Sequence, residues 1–295
     1  MFGILNVNKP AGWTSRDVVN RVQRLVRPAK AGHAGTLDPL ATGVLVVCVG
    51  QATRLISYVQ KLPKTYQATF LLGRTSPSDD TETDPLELSF APEPLLAGIQ
   101  AKLPQFLGLI QQRPPAFSAL KINGQRAYKL AREGKTVELK PRPVQIFDLT
   151  IEGYGYPELK LRMRCGSGTY VRSVGRDLAE ALGTGAVMSA LVRQAIGDFC
   201  VGDAVDIEQL DADSIEANLA SPLTAVAHLP QIQLSELQRV ELQHGRRISL
   251  QDAAVAPKSP DDVFAVVDAA GQLVALVSER RPGLLGAVCN FSLPP

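Results

Sequence analysis

The feature of this chain that most constrains its fold is a period of two in the placement of apolar residues. Apolar and basic residues alternate from 159 to 165, and apolar and polar residues alternate from 64 to 70. This period is typical of strands that bury one face, because successive side chains of a strand point to opposite sides of the sheet. A third segment, 44–49, is apolar and largely β-branched, which predicts a buried strand.

Helix signals occur among these strands without regular alternation. After the turn at 166–168, apolar residues recur at helical spacing, and Gly183 can end the helix that this spacing predicts. Arg172 and Arg176, four residues apart, share a different face of that helix. A parallel doubly wound sheet needs strands and helices in regular succession, so the pattern indicates an α+β fold instead. The apolar residues at helical spacing are Val171, Val174, Leu178 and Leu182.

A break in periodicity at 211–232 indicates a domain boundary. We predict a main domain over 1–230 and a small second domain over 231–295. In the second domain, Ser235 and Gln238 form a capping-box pattern that opens an amphipathic helix, with Gly245 placed to end it. The predicted apolar side of this helix carries Leu237, Val240 and His244.

Strand signals follow that helix. The runs 263–267 and 273–277 flank turn residues at 268–271, which predicts a β-hairpin, and 286–291 can supply another strand. The second domain is therefore expected to be a small β-rich module.

Composition favours a soluble globular protein, since 45% of the residues are apolar and no apolar stretch approaches the roughly 18 residues of a membrane-spanning helix. The N-terminus lacks a charged segment followed by an apolar run and a cleavage site, so we expect a cytoplasmic location. Cys48, Cys165, Cys200 and Cys289 lie far apart, without a Cys-x-x-Cys pair or a nearby cluster of histidines. We expect reduced cysteines, with neither disulfides nor structural zinc.

Charge is distributed unevenly, although the net charge of +2 is too small to indicate a nucleic-acid partner by itself. Residues 9–30 carry six bases against Asp17 alone, and residues 113–142 carry eight bases against two acids. Residues 79–93 carry six acids and no base. The segregation favours a basic face that meets phosphates and a separate acidic face. Solvated helix faces that happen to be basic explain it equally well.

Asp38 is the candidate catalytic residue with the most informative surroundings. It lies between the glycine-containing turn 32–35 and the strand that begins near Val44, and Pro39 fixes the backbone after it. A carboxylate so placed can be held rigidly at the edge of a core, with His33 as a polar neighbour. The local pattern alone is better explained by a turn-forming aspartate before a proline.

Long motifs along residues 3–199 decide between these two interpretations of Asp38. The two longest are NKPAGWTS at 8–15 and GHAGTLDPLATGVL at 32–45. The chain resembles the bacterial tRNA pseudouridine-55 synthase family, known as TruB, and its C-terminal segment resembles the small RNA-binding domain, called PUA, of such enzymes. The resemblance implies a catalytic domain with a mixed, mainly antiparallel sheet and a small β-rich C-terminal domain. The further matches are KTY at 64–66, RPPAFSALK at 113–121, RAY at 126–128, AREG at 131–134, GTYVRS at 168–173 and the region 191–199.

The resemblance assigns roles to individual residues. Asp38 matches the catalytic aspartate of pseudouridine synthases, and Arg172 matches the arginine that pairs with it and keeps the carboxylate ionised and oriented. Tyr66 matches the tyrosine that stacks on the target uracil and assists proton transfer from C5, and such stacking contributes about 1–3 kcal/mol per base. Without the resemblance, Arg172 would be interpreted as an exposed helix-surface arginine and Tyr66 as a half-buried strand aromatic.

Three further positions are implied to bind substrate. Tyr170 and Leu191 match residues that line the pocket around the uracil, although residues of these types ordinarily belong to a core. His33 matches a histidine that fills or braces the space left when the uridine leaves its stack in the T loop, so we assign it to substrate binding and not to proton transfer. Lys9 and Pro10 are expected to shape the core of the domain.

The implied reaction explains why one carboxylate suffices. Converting uridine to pseudouridine breaks the N1–C1′ bond, turns the detached uracil and joins its C5 to C1′, without redox change, so no cofactor or metal is expected. The carboxylate can attack the base, attack the sugar or remove a sugar proton, and the sequence leaves all three open. A glycosidase would usually need a second carboxylate, and none accompanies Asp38 in its motif.

Two stretches depart from the family's usual pattern. The chain has CGSGTY at 165–170 where the family commonly has CSKGTY, and LVR at 191–193 where the family commonly has LRR. Two positive charges are absent, which can alter tRNA affinity and its salt dependence without removing an implied catalytic residue.

The implied partner is the T-stem and loop of free tRNA, recognised mainly by shape and backbone. No membrane and no obligatory protein partner are expected, and the protein is expected to be a monomer. One alternative is an RNA-binding or RNA-folding module, which the basic segments alone support equally well. Another is a guide-dependent or ribosomal-RNA pseudouridine synthase of the same fold.

Overall fold

The computed structural model describes residues 1–118, 120–122, 124–135, 139–249, 259 and 262–291. Ala119 of the 113–121 motif lies outside the described residues, as do 250–258, 260–261 and 292–295 of the predicted second domain. The α-helices are α1 Ser15–Leu25, α2 Ile56–Lys61, α3 Leu96–Lys102, α4 Ala127–Arg132, α5 Val171–Ala181 and α6 Glu236–Gln243.

The strands follow the period-two segments of the sequence and include several short additional ones. They are β1 Gly3–Lys9, β2 Ala31–His33, β3 Thr42–Val49, β4 Lys64–Leu72, β5 Arg74–Thr75, β6 Leu86–Glu87, β7 Gly108–Gln112, β8 Lys121–Ile122, β9 Gln125–Arg126, β10 Arg142–Gly155, β11 Glu158–Cys165, β12 Ala186–Ile196, β13 Phe199–Cys200, β14 Val205–Asp206, β15 Gln231–Gln233, β16 Ile248–Ser249, β17 Val263–Val267, β18 Leu273–Arg281 and β19 Leu284–Asn290. Among the described residues, every helix is too short or too polar to cross a membrane.

A large mixed sheet organises the first 206 residues. Its strand order is β14-β1-β3-β12-β4-β11-β10-β7, with β2 beside β3 and β13 beside β12. Most neighbours are antiparallel, while β12 runs parallel to β3 and β1 runs parallel to β14. The predicted α+β class with a mixed, mainly antiparallel sheet is confirmed.

The predicted helix after residue 168 covers the β12 and β4 part of this sheet. Val174 and Leu178 of α5 are buried against the sheet, and Gly183, with φ +76°, follows the end of the helix as predicted. Gly175 permits a close approach, because a Cβ at this position would lie 2.0 Å from a ring atom of Phe70. The contact fixes the height of α5 above the sheet, and with it the position of Arg172.

A second sheet, of order β15-β17-β18-β19-β16, contains the predicted hairpin of β17 and β18. This sheet packs against the first. The rings of Phe2 and Phe291 stack with centroids 5.4 Å apart, and Nη1 of Arg54 donates to the carbonyl of Asn290 at 2.8 Å. Ala265 and Leu276 join the same buried cluster as residues of β1 and β3.

The predicted capping box of α6 is present, because Ser235 and Gln238 exchange side-chain-to-backbone hydrogen bonds. The predicted apolar side is wrong: Leu237 is 81% exposed, whereas Leu242 is buried. The eight-residue helix packs on β16 and β19. Leu242, near the C-terminal end of the helix, therefore reaches the core, whereas Leu237 in the first turn is exposed to solvent.

We expect Gly175→Ala to destabilise the fold by about 1–3 kcal/mol, because the new methyl group overlaps the Phe70 ring, which is buried without room to move. Gly98→Ala is the matched control, since Gly98 also lies in a helix but nothing lies within 4 Å of its added Cβ. There, alanine should stabilise by roughly 0.5–1 kcal/mol. Urea unfolding measures both changes. A Gly175→Ala protein as stable as the wild type would contradict the packing described.

Candidate active site

All six site residues predicted from the sequence line one cavity of about 660 Å³. Its walls are the loop between β2 and β3, the inner faces of β4 and β12, the N-terminal end of α5 with the turn before it, and part of the segment 117–132. The predicted residues on these walls are His33, Asp38, Tyr66, Tyr170, Arg172 and Leu191.

The loop that carries Asp38 is held from one side by the N-terminal segment. Ser15 Oγ accepts from the Leu37 amide at 2.8 Å and donates to the Leu37 carbonyl at 3.2 Å. Lys9, fully buried, donates through Nζ to the carbonyl of Pro39 at 3.3 Å and to that of Trp13 at 2.6 Å. Lys9 thus shapes the core, as predicted, and fixes the chain immediately after the carboxylate.

Arg193 holds the other side of this loop. Only 1% of it is exposed, and its Nε donates to the Val44 carbonyl at 2.7 Å. Its Nη2 donates to the Gly35 carbonyl at 3.1 Å and its Nη1 to the Thr36 carbonyl at 3.4 Å. Because Arg193 comes from the middle strand β12, the loop is tied to the centre of the sheet.

Arg172 connects two carboxylates. Its Nη2 lies 3.0 Å from Oδ2 of Asp38, and its Nη1 lies 3.1 Å from Oδ2 of Asp80. The same guanidinium donates to the carbonyls of Ser78 and Phe117 at 2.7 and 3.0 Å. Arg172 is 5% exposed, so the interpretation as an exposed helix-surface arginine is excluded.

Burial raises the pKa of Asp38, the charge of Arg172 opposes this rise, and the charge of Asp80 adds to it. Arg172 therefore stabilises the ionised form as expected but does not outweigh burial. An anion that is incompletely stabilised is a stronger base and nucleophile, and the ion pair with Arg172 keeps the Asp38 carboxylate oriented.

Tyr66 and Leu191 form the apolar part of the cavity. Tyr66 is 9% exposed and Leu191 6%, and both belong to the buried cluster around Phe70. Burial raises the pKa of the Tyr66 phenol, while the charge of Arg193, which lies opposite Tyr66 in the β12–β4 strand pair, acts in the opposite direction. The phenol is therefore neutral near pH 7.

Tyr170 and His33 lie toward the outside of the cavity. The guanidinium of Arg142 lies 5.0 Å from the Tyr170 ring centroid, and its Nη2 donates to the Gly168 carbonyl at 2.5 Å. Nδ1 of His33 accepts from the Gly35 amide at 3.3 Å. Burial, followed by the charge of Arg193, lowers the pKa of His33, which favours a neutral ring.

Sequence reasoning missed Asp80 and misplaced part of the acidic segment. Asp80 is fully buried, and Asp79 pairs with Arg176 at 2.7 Å. Glu82 lies on the cavity wall and pairs with Arg132 of α4 at 2.5 Å. The prediction of a separate acidic face is wrong for these residues, because arginines of α5 and α4 draw them inward. The mixture of acids and hydroxyl residues at 78–83, SDDTET, was the available signal.

The sequence matches the family model described as TruB family pseudouridylate synthase (N terminal domain) over residues 23–171. A protein of Thermobifida fusca named tRNA pseudouridine synthase B is 43% identical over 298 residues, and the match covers 98% of each chain. The protein of the same name from Synechocystis sp. is 43% identical over 261 residues, covering 86% of this chain and 88% of the relative.

Solved structures agree in fold. A chain in the crystal structure of a Cbf5-Nop10-Gar1 complex superposes with a TM-score of 0.74 at 26% identity, covering 94% of this chain and 78% of that one.

We expect the Asp38 carboxyl to titrate above the ordinary aspartate value of about 3.9. Asp80→Asn should lower this pKa, because it removes a nearby negative charge and leaves Arg172 to a single carboxylate. Carbon-13 NMR of labelled aspartate measures the titration. The matched control is Asp79→Asn, which removes a neighbouring carboxylate paired with Arg176 and should shift Asp38 less. Equal shifts in the two variants would show that Asp80 has no special coupling to Asp38.

Proposed function

This chain belongs to the TruB family of pseudouridylate synthases and is therefore an isomerase, and we propose that it converts the uridine at position 55 in the T loop of tRNA to pseudouridine. The observation that carries the proposal is the Asp38–Arg172 ion pair of 3.0 Å at the wall of a cavity that also contains Tyr66 and Leu191. The name shared by relatives that match nearly the whole chain supports tRNA as the substrate. The motifs at 8–15 and 32–45 support position 55.

The charges around the cavity suit an RNA loop. Arg16, Arg126, Arg132 and Arg142 lie on its walls, and among the described wall residues only Asp38 and Glu82 carry carboxylates. Arginines at the outside of a cavity can bind the phosphates that flank an extruded nucleotide, while the apolar interior receives the base. We further propose that the protein acts in the cytoplasm, where tRNA matures. It is proposed to act as a monomer without an obligatory protein partner.

Within this proposal each residue has a role that its contacts support. Asp38 is the group that attacks the nucleotide or removes its proton, and Arg172 is the positioning residue that orients it. Tyr66 stacks on the uracil, with Leu191 beside it. Tyr170, with Arg142 against its ring, lines the outer part of the pocket. His33, neutral and held by the Gly35 amide, braces the loop from which the uridine is extruded.

The small C-terminal sheet is proposed to be a PUA-like RNA-binding domain over 231–295. Its packing on the first sheet through Phe2, Phe291 and Arg54 supports a fixed relation to the catalytic cavity, so that one tRNA can contact both.

A guide-dependent synthase is the second candidate, since a chain of the Cbf5-Nop10-Gar1 complex has a similar fold. The greater identity to relatives named tRNA pseudouridine synthase B, 43% against 26%, favours the stand-alone enzyme. The purified chain distinguishes the two when it is mixed with a tRNA transcript and nothing else. Pseudouridine at position 55 supports the stand-alone enzyme, whereas no reaction without added RNA or protein supports the guided one.

Asp38→Asn should abolish pseudouridine formation, a loss of at least about 10³-fold, because the amide can neither attack nor accept a proton. Binding of tRNA should persist, since Asp38 is one residue of a large surface. Chemical mapping of pseudouridine in a tRNA transcript measures the reaction, and filter binding measures affinity.

Asp213→Asn is the matched control for this variant, because Asp213 is exposed and remote from the cavity walls. It should react like the wild type. Full activity of Asp38→Asn would refute the catalytic assignment. Modification at a position other than 55 by the wild type would refute the substrate assignment instead.

A further inference from the structure

Arg193 is a buried cation that has no carboxylate partner among the described residues. In the described part of the chain, no Asp or Glu oxygen lies within 4.0 Å of its guanidinium. Its donors meet the backbone carbonyls of Val44, Gly35 and Thr36 instead. Carbonyl dipoles satisfy hydrogen bonds but do not cancel a unit charge, so a positive potential remains at this wall of the cavity.

The contrast with Arg172 makes this charge unusual. Arg172 is almost as buried, but it lies between Asp38 and Asp80 and is fully compensated. Transfer of an ion to the protein interior is unfavourable, and only a well-placed partner offsets the lost hydration. A charge retained at that cost beside a reaction cavity is a candidate for use in the reaction.

The charge of Arg193 acts on the groups around the cavity. It contributes, after burial, to the lowered pKa values of His33 and of Lys64, the latter falling to about 8. It opposes the burial that raises the pKa of Tyr66, and Arg193 lies directly opposite Tyr66 in the β12–β4 strand pair. The potential therefore reaches the surface on which the uracil is proposed to stack.

We propose that Arg193, acting through Tyr66, stabilises the negative charge that develops on uracil when the glycosidic bond breaks. This inference rests on the proposed function. As N1–C1′ breaks, its electron pair stays on N1 and spreads to the O2 and O4 oxygens, while C1′ bonds to the Asp38 carboxylate or the sugar loses a proton to it. The turned uracil then uses its C5 electron pair to bond C1′, while the C1′–Asp38 bond breaks and returns its electrons to the carboxylate, or Asp38 gives the proton back to the sugar. C5 releases its proton and N1 gains one, so atoms and electrons balance.

Such stabilisation needs no contact between Arg193 and the base. A fixed positive charge on a buried side chain favours the charged transition state over the neutral substrate, which is the condition for rate acceleration. Arg193 is thus a positioning residue for the loop and an electrostatic one for the reaction, and only the second role depends on its charge.

The test separates these two roles with Arg193→Gln and Arg193→Lys. The single-turnover rate constant for cleavage of the N1–C1′ bond is measured, as loss of the parent nucleoside, on tRNA transcripts that carry uridine or 5-fluorouridine at the target position. Loss of the parent nucleoside is the common readout because 5-fluorouridine has no C5 proton to release and cannot complete the reaction to pseudouridine. Fluorine stabilises the uracil anion, so it should partly replace the lost charge. For Arg193→Gln we expect a loss of about 10²-fold on uridine, the size typical of losing one electrostatic stabiliser, and a clearly smaller loss on 5-fluorouridine. Affinity for tRNA should stay within about twofold of the wild type.

Arg193→Lys retains a charge but loses the fork of donors. Its rate should lie near the wild type at pH 6.5 and fall toward the Arg193→Gln rate as pH rises and the introduced amine loses its proton, since Lys64 nearby already has a pKa of about 8. The wild type should show no such fall. The pKa of His33, followed by NMR, should rise in Arg193→Gln, because a repelling charge is gone.

Arg164→Gln is the matched control, because Arg164 is an exposed arginine on β11 outside the cavity walls, and its rates should equal those of the wild type. The ratio of the two substrate rates within one variant does not depend on the fraction of folded protein. The test of the two roles of Arg193 therefore remains valid for a destabilised variant. Equal losses of rate on both substrates, or a pH-independent loss of rate in Arg193→Lys, would show that Arg193 only holds the loop in place. Either result would overturn the inference. Absence of pseudouridine with the wild type would overturn the proposed function instead.

Discussion

The architecture of the cavity depends on hydrogen bonds to the backbone of one irregular loop, residues 35–39. Buried carbonyls without partners are costly, and a loop has no ladder to supply them. Here each carbonyl of the loop has a donor: Arg193 serves Gly35 and Thr36, Ser15 serves Leu37, the Ala41 amide serves Asp38, and Lys9 serves Pro39. The loop can therefore sit inside the fold, and Asp38 is held where α5 can reach it.

The helix α5 depends on the loop in turn. Its first turn carries Arg172 to the carboxylate, and Gly175 lets the helix lie low enough on Phe70 for that contact. The segment 78–83 is in turn held against α5, because Arg172 and Arg176 compensate the charges of Asp80 and Asp79. Packing and ion pairs around the Asp38 carboxylate thus connect three separate parts of the sequence: the loop 35–39, α5 and the segment 78–83.

Local physical chemistry predicted much of the fold. The alternation at 64–70 and 159–165, the helical spacing after 168 and the hairpin turn at 268–271 are present as strands, helix and hairpin, since each is decided by neighbours in sequence. All six predicted site residues line one cavity, although their positions were recognised from motifs and not from local patterns. The burial of Asp80 and the apolar side of α6 were not predictable, because both depend on partners far along the chain. An acid in a charge run is ordinarily exposed, and Leu237 looks apolar enough to be buried.

The same reasoning explains why two buried cations of the cavity wall, Arg172 and Arg193, are arginines. Burial displaces the pKa values of Lys9 and Lys64 to about 8, raises that of Asp38 and lowers that of His33, so each of these four groups is shifted toward its neutral form. A guanidinium resists this shift, because its pKa lies far above neutrality and its charge is delocalised. Its planar fork also reaches several acceptors at once, as Arg193 does with three carbonyls. Side chains as buried as Arg172 and Arg193 keep a dependable positive charge only in that form, and a lysine at either position would exchange a permanent charge for one that depends on pH.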